Sequence, residues 1–354
     1  MLLPLAGAVL GGRPLGSLFR FPPRENAAAL RQTFSPLAAG AVAAALAVSA
    51  AWWWAGHARR RRPLMRGPSV RPARCFPVWG WLALAWLAAW WIVAWTRLPF
   101  FAAVQPYTFF PLWLGAIAGC NAVAWRRSGS CLLLREPRRL AALFAASAGF
   151  WWLFEWLNRF VRNWHYLGVA EFGPTAYAVH ATLCFSTVLP AVASAAECLA
   201  TFPAWLNAVR AGPSCPWLVR PGAGAVLIAA GAAGLVLTGL FPRSCYPAIW
   251  LAPLALLAGR VALRGGSDLL RALARGDWTT AGTWMAAALA CGFCWELWNG
   301  HSQAKWVYTV PGVDRWHVFE MPLLGYSGYL PFGLECLFVA AELDIRPAQA
   351  SPGR

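Results

Sequence analysis

Nine stretches of this chain are long and apolar enough to be read as helices crossing a bilayer, and this constrains the fold more than any other feature. They fall at roughly 36–56, 77–96, 104–125, 140–160, 175–199, 222–241, 246–263, 279–298 and 320–342. At a helical rise of about 1.5 Å per residue, about 20 apolar residues cross the hydrocarbon core. Lipid offers the backbone no hydrogen bonds, so a segment crossing it satisfies its own amides and carbonyls as a helix or within a closed barrel. Runs of this length select the helix. Only 12% of the 354 residues are charged, against about 25% in soluble domains. The expected fold is all-α, a polytopic membrane helical bundle.

The chain also writes part of itself twice. Glu155 is followed three residues later by Asn158, and Glu296 by Asn299. A Trp-x-Tyr comes next (Trp164/Tyr166 and Trp306/Tyr308), then a Leu-Pro (Pro190 and Pro331), then Glu-Cys-Leu (Glu197 and Glu335). The offsets are 138 to 142 residues. Upstream, Phe110–Trp113 through Arg127–Ser130 echoes Pro247–Trp250 through Arg264–Ser267. Spans two to five therefore match spans six to nine. The expected division is an N-terminal arm (1–35), an extra span (36–56), repeat 1 (77–200), repeat 2 (222–342) and a tail (343–354). Each unit has an even number of spans, so the copies share one orientation about a pseudo-two-fold axis along the membrane normal, with a site expected between them. Gly222, Gly224, Gly231 and Gly234 in span six are expected to let helices approach closely there.

Basic residues set the orientation. Of 30, 20 fall in the connections after odd-numbered spans and 10 on the other side, four of those in the arm. The positive-inside rule then puts the N-terminus outside and the C-terminus in the cytoplasm of a bacterial inner membrane. The net charge of +17 is thereby explained by loops at anionic headgroups, and no soluble basic domain exists to bind nucleic acid. The ten cysteines follow no disulfide spacing, and Cys291 and Cys294 read as packing residues in an apolar helix. The opening residues lack a basic n-region and carry Pro4, so they read as a loose or interface-lying terminus rather than a cleaved signal. Asp268–Arg275 reads as a short amphipathic helix on the cytoplasmic interface.

Ionisable groups inside membrane spans are costly and usually face a bundle interior. Glu155, Glu296 and Glu320, near the outer ends of spans four, eight and nine, are the candidate acids or bases. Asn158, Asn299, Trp295, Trp298, Tyr308 and Glu335 are the candidate substrate-binding residues. Apolar surroundings beside Trp can keep a carboxylic acid neutral and able to give a proton, and aromatic faces favour cations. The plainer reading is that each Glu caps a helix or pairs with a nearby Arg or Lys, and that each Asn ties two helices together. His165, His180, His301 and His317 lie on the outer side without any fixed metal-binding spacing, so no metal ligand and no cofactor are assigned. Most of the 24 Trp form an interfacial belt. Pro331, Gly325, Gly328 and Gly333 predict a kinked or discontinuous ninth span.

The tail Phe319–Glu335, with Tyr107–Gly115 and Trp295–Tyr308, resembles a family of bacterial multi-spanning membrane proteins, a likeness over most of residues 80–340 that implies the fold and no activity. The order Glu, Trp-x-Tyr, Pro, Glu is more distantly similar to the membrane repeat of lycopene cyclases and carotenoid hydratases. That likeness implies protonation of an isoprenoid alkene by membrane carboxylates. The cyclases' paired acidic Pro-x-Glu-Glu is replaced here by Glu-Met-Pro.

Three readings follow: an enzyme acting on an isoprenoid or other lipophilic substrate, a scaffold or assembly subunit, and a transporter or channel with a site between the repeats. The expected partners are membrane lipids and a lipophilic small molecule, and no nucleic acid.

Overall fold

The computed structural model describes residues 2–23, 34–59 and 75–343. The arginine-rich run holding Arg60, Arg61, Arg62, Arg66, Arg71 and Arg74 lies outside the described residues, as do Arg24, Arg31 and the tail with Arg346 and Arg354.

The described chain is a helical bundle with two short two-stranded ribbons. Its first half holds α1 (Leu2–Leu10), α2 (Pro36–Arg59), α3 (Val78–Trp95), α4 (Phe109–Ser128), α5 (Leu132–Arg135) and α6 (Pro137–Val161). Strand β1 (Trp164–Leu167) follows, then α7 (Pro174–Phe185), α8 (Val188–Ala200) and α9 (Pro203–Val209). The second half holds α10 (Ala223–Leu240), α11 (Pro242–Cys245), α12 (Ala248–Leu263), α13 (Asp268–Ala274) and α14 (Thr279–Gly300). Strands β2 (Lys305–Tyr308), β3 (His317–Val318) and β4 (Met321–Pro322) precede α15 (Tyr329–Glu342).

A helix occupies each of the nine apolar stretches, but by length and composition six are fit to cross a membrane, or seven if the bent pair α12–α13 is one span. The others are held back for readable reasons. α4 carries Asn121, Arg126 and Arg127, α12 has 16 residues, and α14 carries Glu296 and Asn299. α14 also packs on α8, α9 and α15. Polar side chains are tolerated there because other helices, not lipid, surround them.

Burial ranks the helices. Of the best 18-residue window in Pro174–Ala200, 61% is buried, against 6% in α2. The core lies where α4, α6, α8, α14 and α15 meet, around Leu143, Phe154, Leu189, Ala287, Phe332 and Cys336.

Close helix approach differs from expectation. A Cβ at Gly224 would meet Gly259 O at 2.8 Å, and one at Gly231 would meet Ala252 O at 2.8 Å. The small face of α10 therefore seats on α12, inside the second half and not between the halves. The two halves meet instead through α8 against α14 and α15, and through β1 against β2. The N-terminus is likewise not loose. A Cβ at Gly7 would lie 1.9 Å from Val236 O, and one at Gly239 1.9 Å from Pro4 O, so paired glycines let α1 dock on α10. Ala8 is fully buried there.

The ninth stretch changes form along its length, with Leu323–Glu342 continuous as one candidate span. Its first residues form the β3–β4 hairpin, Leu323–Gly328 is a 3-10 turn, and the α-helix begins only at Tyr329. The third likewise begins at Phe109, after a 3-10 turn holding Pro106. Asp268–Ala274 is a helix as read, with Ser267 as its N-cap accepting from Leu270 N at 3.3 Å.

Candidate functional site

The repeated Glu-x-x-Asn…Trp-x-Tyr folds into the same hydrogen-bond pattern twice. On α6, Glu155 and Asn158 are one helical turn apart and share a face. Arg162, at φ 56°, ends the helix and reverses the chain into β1. Asn158 Oδ1 then accepts from Asn163 N at 2.8 Å, and its Nδ2 donates to Trp164 O at 2.8 Å. Asn299 does the same on α14: its Oδ1 accepts from Trp306 N at 2.8 Å and its Nδ2 donates to Trp306 O at 2.7 Å. Each Asn thus clamps the backbone of its Trp-x-Tyr.

The two Trp-x-Tyr strands pair with each other. β1 and β2 are antiparallel, with Trp164 opposite Tyr308, His165 opposite Val307 and Tyr166 opposite Trp306. The ribbon therefore has a local two-fold centred on the middle pair. Gly168 lets it close, with φ 72° and a Cβ position only 2.3 Å from Gln303 O.

The carboxylates collect the aromatic side-chain donors. Glu155 Oε1 accepts from Tyr166 OH at 2.6 Å, Trp164 Nε1 at 2.9 Å and Trp151 Nε1 at 3.1 Å. Glu296 Oε1 accepts from Tyr308 OH at 2.7 Å, Tyr329 OH at 3.0 Å and, at 3.4 Å, Trp306 Nε1. Burial first, and then the charge of the adjacent glutamate, push the hydroxyls of Tyr166 and Tyr308 well above the ordinary tyrosine range, so both stay neutral donors.

These rings wall a cavity of about 650 Å³ between the two halves. Trp151, Trp164, Tyr166, Trp306, Tyr308 and Tyr329 all line it. Val42, Ala45, Leu46 and Ser49 of α2 close its outer side. Glu155 and Glu296 do not line it: each is buried behind the aromatic wall. A second cavity of about 170 Å³ reaches Glu155 from the side of Arg20, Arg159 and Arg162, and Trp164 and Tyr166 separate the two spaces.

The sequence-selected residues thus divide. Tyr308 and Trp295 line the main cavity. Trp298 packs instead against Trp91 and Trp113. Asn158 and Asn299 face backbone, as above. Glu320 sits apart, ion-paired at 2.5 Å with Lys305, which borders the cavity. Glu335 is fully buried on α15, where neither oxygen meets hydrogen-bond geometry and the backbone of Leu254 on α12 is the polar group that faces it. Its counterpart Glu197 is held by Arg135 at 2.6 and 3.1 Å.

Trp151, Trp164, Tyr166, Trp250, Trp306 and Tyr329 line the cavity without being among the candidate binding residues. The duplicated Trp-x-Tyr signals Trp164, Tyr166 and Trp306; nothing local in the sequence signals the other three. Among the described residues, no three His, Cys, Asp or Glu side chains gather to hold a metal ion. Asp314, which does reach a histidine (His317 Nε2 at 2.7 Å), has its carboxyl pushed upward by burial. No family model, curated protein or solved structure matches this chain.

Proposed function

We propose that this protein is an integral membrane protein that takes a lipophilic molecule from the bilayer into the aromatic cavity between two parallel four-span repeats. The full architecture in this reading is nine spans, with the first as an addition, the N-terminus outside and the C-terminus in the bacterial cytoplasm. The observation that carries it is the cavity itself: about 650 Å³, within the range of small-molecule sites, and walled from both halves by rings that a repeated motif positions. An isoprenoid or other lipophilic substrate suits such walls.

If the site is catalytic, the acid–base unit is a tyrosine backed by a carboxylate, because only the tyrosines reach the cavity. Tyr166 with Glu155, and Tyr308 and Tyr329 with Glu296, are those units. A proton given to the substrate by a tyrosine hydroxyl would be replaced from the glutamate behind it when that group is protonated.

Protein purified in detergent, extracted with organic solvent and analysed by mass spectrometry is expected to carry a bound lipophile. Gly328 borders the cavity in ordinary helical geometry with no atom closer than 3.8 Å to an added Cβ, so Gly328→Phe fills the space without strain. That variant is expected to lose most of the lipophile. An empty wild type, or equal loading of both, sinks the reading. For the enzyme version, an unchanged lipid profile in cells carrying Glu296→Gln removes the catalysis and leaves the binding.

The scaffold reading has one specific observation in its favour: both glutamates and both asparagines spend their hydrogen bonds inside the protein. The transporter reading draws support from the 3-10 start of the ninth span, which carries Gly325 and Gly328 after Pro322. It lacks a bonded polar path, since Glu335 stands among apolar neighbours.

A further inference from the structure

Every polar hydrogen on six of the cavity's rings is turned away from the cavity. The indole N–H groups of Trp151 and Trp164 and the hydroxyl of Tyr166 point back to Glu155. The hydroxyls of Tyr308 and Tyr329 point back to Glu296, and Trp306 Nε1 donates to Tyr308 OH at 2.8 Å. A ligand in the cavity therefore meets ring faces and tyrosine oxygens, with a carboxylate one ring further out on each side. Three donors converge on Glu155 Oε1 and two on Glu296 Oε1, whose Oε2 is buried without a partner; when such a carboxylate is ionised it is acceptor-only and strengthens each bond.

The electrostatic consequence is one-signed. Aromatic faces carry the negative lobe of the ring quadrupole. A phenol that donates to an anion shares part of that anion's charge, which makes its face more electron-rich. Each carboxylate, when ionised, adds a field of the same sign inside the space. Opposing positive charge stands outside the cavity: Arg20, Arg159 and Arg162 flank Glu155 in the second cavity, beyond Trp164 and Tyr166. Lys305 borders the cavity but is paired with Glu320, and His180 is the only imidazole in the lining. The walls offer few acceptors aimed inward, so an ammonium that needs several hydrogen bonds is poorly served. A cation whose charge is covered by methyl or methylene groups gives up little hydration on entry and keeps the attraction.

We propose that the cavity selects a lipophilic organic cation of the quaternary-ammonium type over a neutral lipophile of the same shape. This rests on the cavity being a lipophile site, as proposed above, and adds the charge of its occupant. The copies supply it together, since each brings one carboxylate and its own Trp-x-Tyr.

The test is equilibrium dialysis of the full-length protein in nanodiscs of zwitterionic lipid. The probes are hexyltrimethylammonium and its carbon isostere, which carries a tert-butyl head in place of the trimethylammonium. The cation is expected to bind about tenfold more tightly, equivalent to about 1.4 kcal/mol. Glu155→Gln and Glu296→Gln keep the acceptor and the shape while removing the charge, and each is expected to shrink the preference by about threefold or more. Glu342→Gln, at the far end of α15 and paired with Arg260 at 2.5 Å, is expected to leave it intact. Equal binding of the two probes to wild type overturns the cation inference and leaves the lipophile cavity standing. A preference that survives both Gln variants overturns the role given to the carboxylates. Failure of both probes to bind counts against the cavity reading itself.

Discussion

At the scale of single residues, the duplicated asparagines and the unmatched glutamates ask for different tests. Asn299 makes two bonds to the backbone of Trp306, at 2.7 and 2.8 Å, from a buried position. Leaving a buried polar group unpaired costs about 1–3 kcal/mol. Asn299→Ala is therefore expected to lower stability by about 2 kcal/mol, read as a fall in the thermal midpoint in detergent, and Asn158→Ala by a similar amount. A neutral outcome at both would mean the clamp contributes nothing. Glu335 runs the other way. In the first copy Arg135 on α5 holds Glu197; aligning Ser130 with Ser267 puts Ala272 of α13 in the place of that arginine. Among the described residues Glu335 has no charged partner; neither oxygen meets hydrogen-bond geometry, and the Leu254 backbone is the polar group that faces it. An unpaired polar group in apolar surroundings is costly, so Glu335→Met is expected to leave thermal stability unchanged or raise it. Glu197→Met, which leaves Arg135 only Glu136 and Ser130 as partners, is expected to lower it by about 1 kcal/mol, the pair being partly open to solvent. A fall in stability at Glu335→Met would show that this carboxyl has a partner the geometry does not reveal.

Helices and strands were unequally legible. The apolar runs located nine helical stretches because a bilayer-length run admits little else; the repeat marked the two Trp-x-Tyr segments, but the all-α expectation did not include the strands they form, since a four-residue strand is set by its pairing partner. Two further things were hidden. The partner of each close-packed glycine is set by tertiary contact, which is why α10 seats on α12 and α1 on α10 where local sequence gave no direction. The site's depth was hidden too: a Glu beside Trp reads as a pocket acid, yet the rings stand in front of it. α2 shows how an element's fastening bears on function. Its N-terminal end is tied where Ser35 N donates to Gly312 O at 3.1 Å, and its other end where His57 Nδ1 meets Ala211 O at 3.2 Å and Trp53 packs edge-on against Trp278. Between these ties Val42, Ala45, Leu46 and Ser49 face the cavity, while 6% of the span is buried. A Cβ at Gly56 would lie 2.4 Å from Pro213 N, so Gly56→Leu unseats the second tie. The expected result is faster exchange of bound lipophile with the bilayer, followed by dilution of labelled ligand, and a thermal midpoint close to wild type. Unchanged exchange together with a large loss of stability would make α2 part of the core rather than a cover.

Across the whole molecule, the strongest argument for the proposed topology is which connections touch. Basic-residue counting assigns the stretches near 97, 165, 243 and 301–320 to one side and those near 127–139, 201–220, 260–277 and 342 to the other. The contacts respect that division. Arg97 donates to His301 O, and β1 pairs with β2 at one end. At the other end Arg127 holds Thr201, Arg135 holds Glu197, Ala211 bridges to Asp277, and Arg260 holds Glu342. An error of one span in the count would send a later connection across the bilayer and mix the two sets. Cys75 is exposed just before α3, on the side of the arginine-rich run, and Ser302 lies in the loop after α14 at the opposite end. In a background with the other cysteines replaced, Cys75 is expected to react with a membrane-impermeant maleimide only in inside-out vesicles. A single cysteine at Ser302→Cys is expected to react only in intact cells. Reaction of both from one side would break the parity on which the parallel repeats rest. Reaction of each from the reverse side would keep the parity and overturn only the direction read from charge.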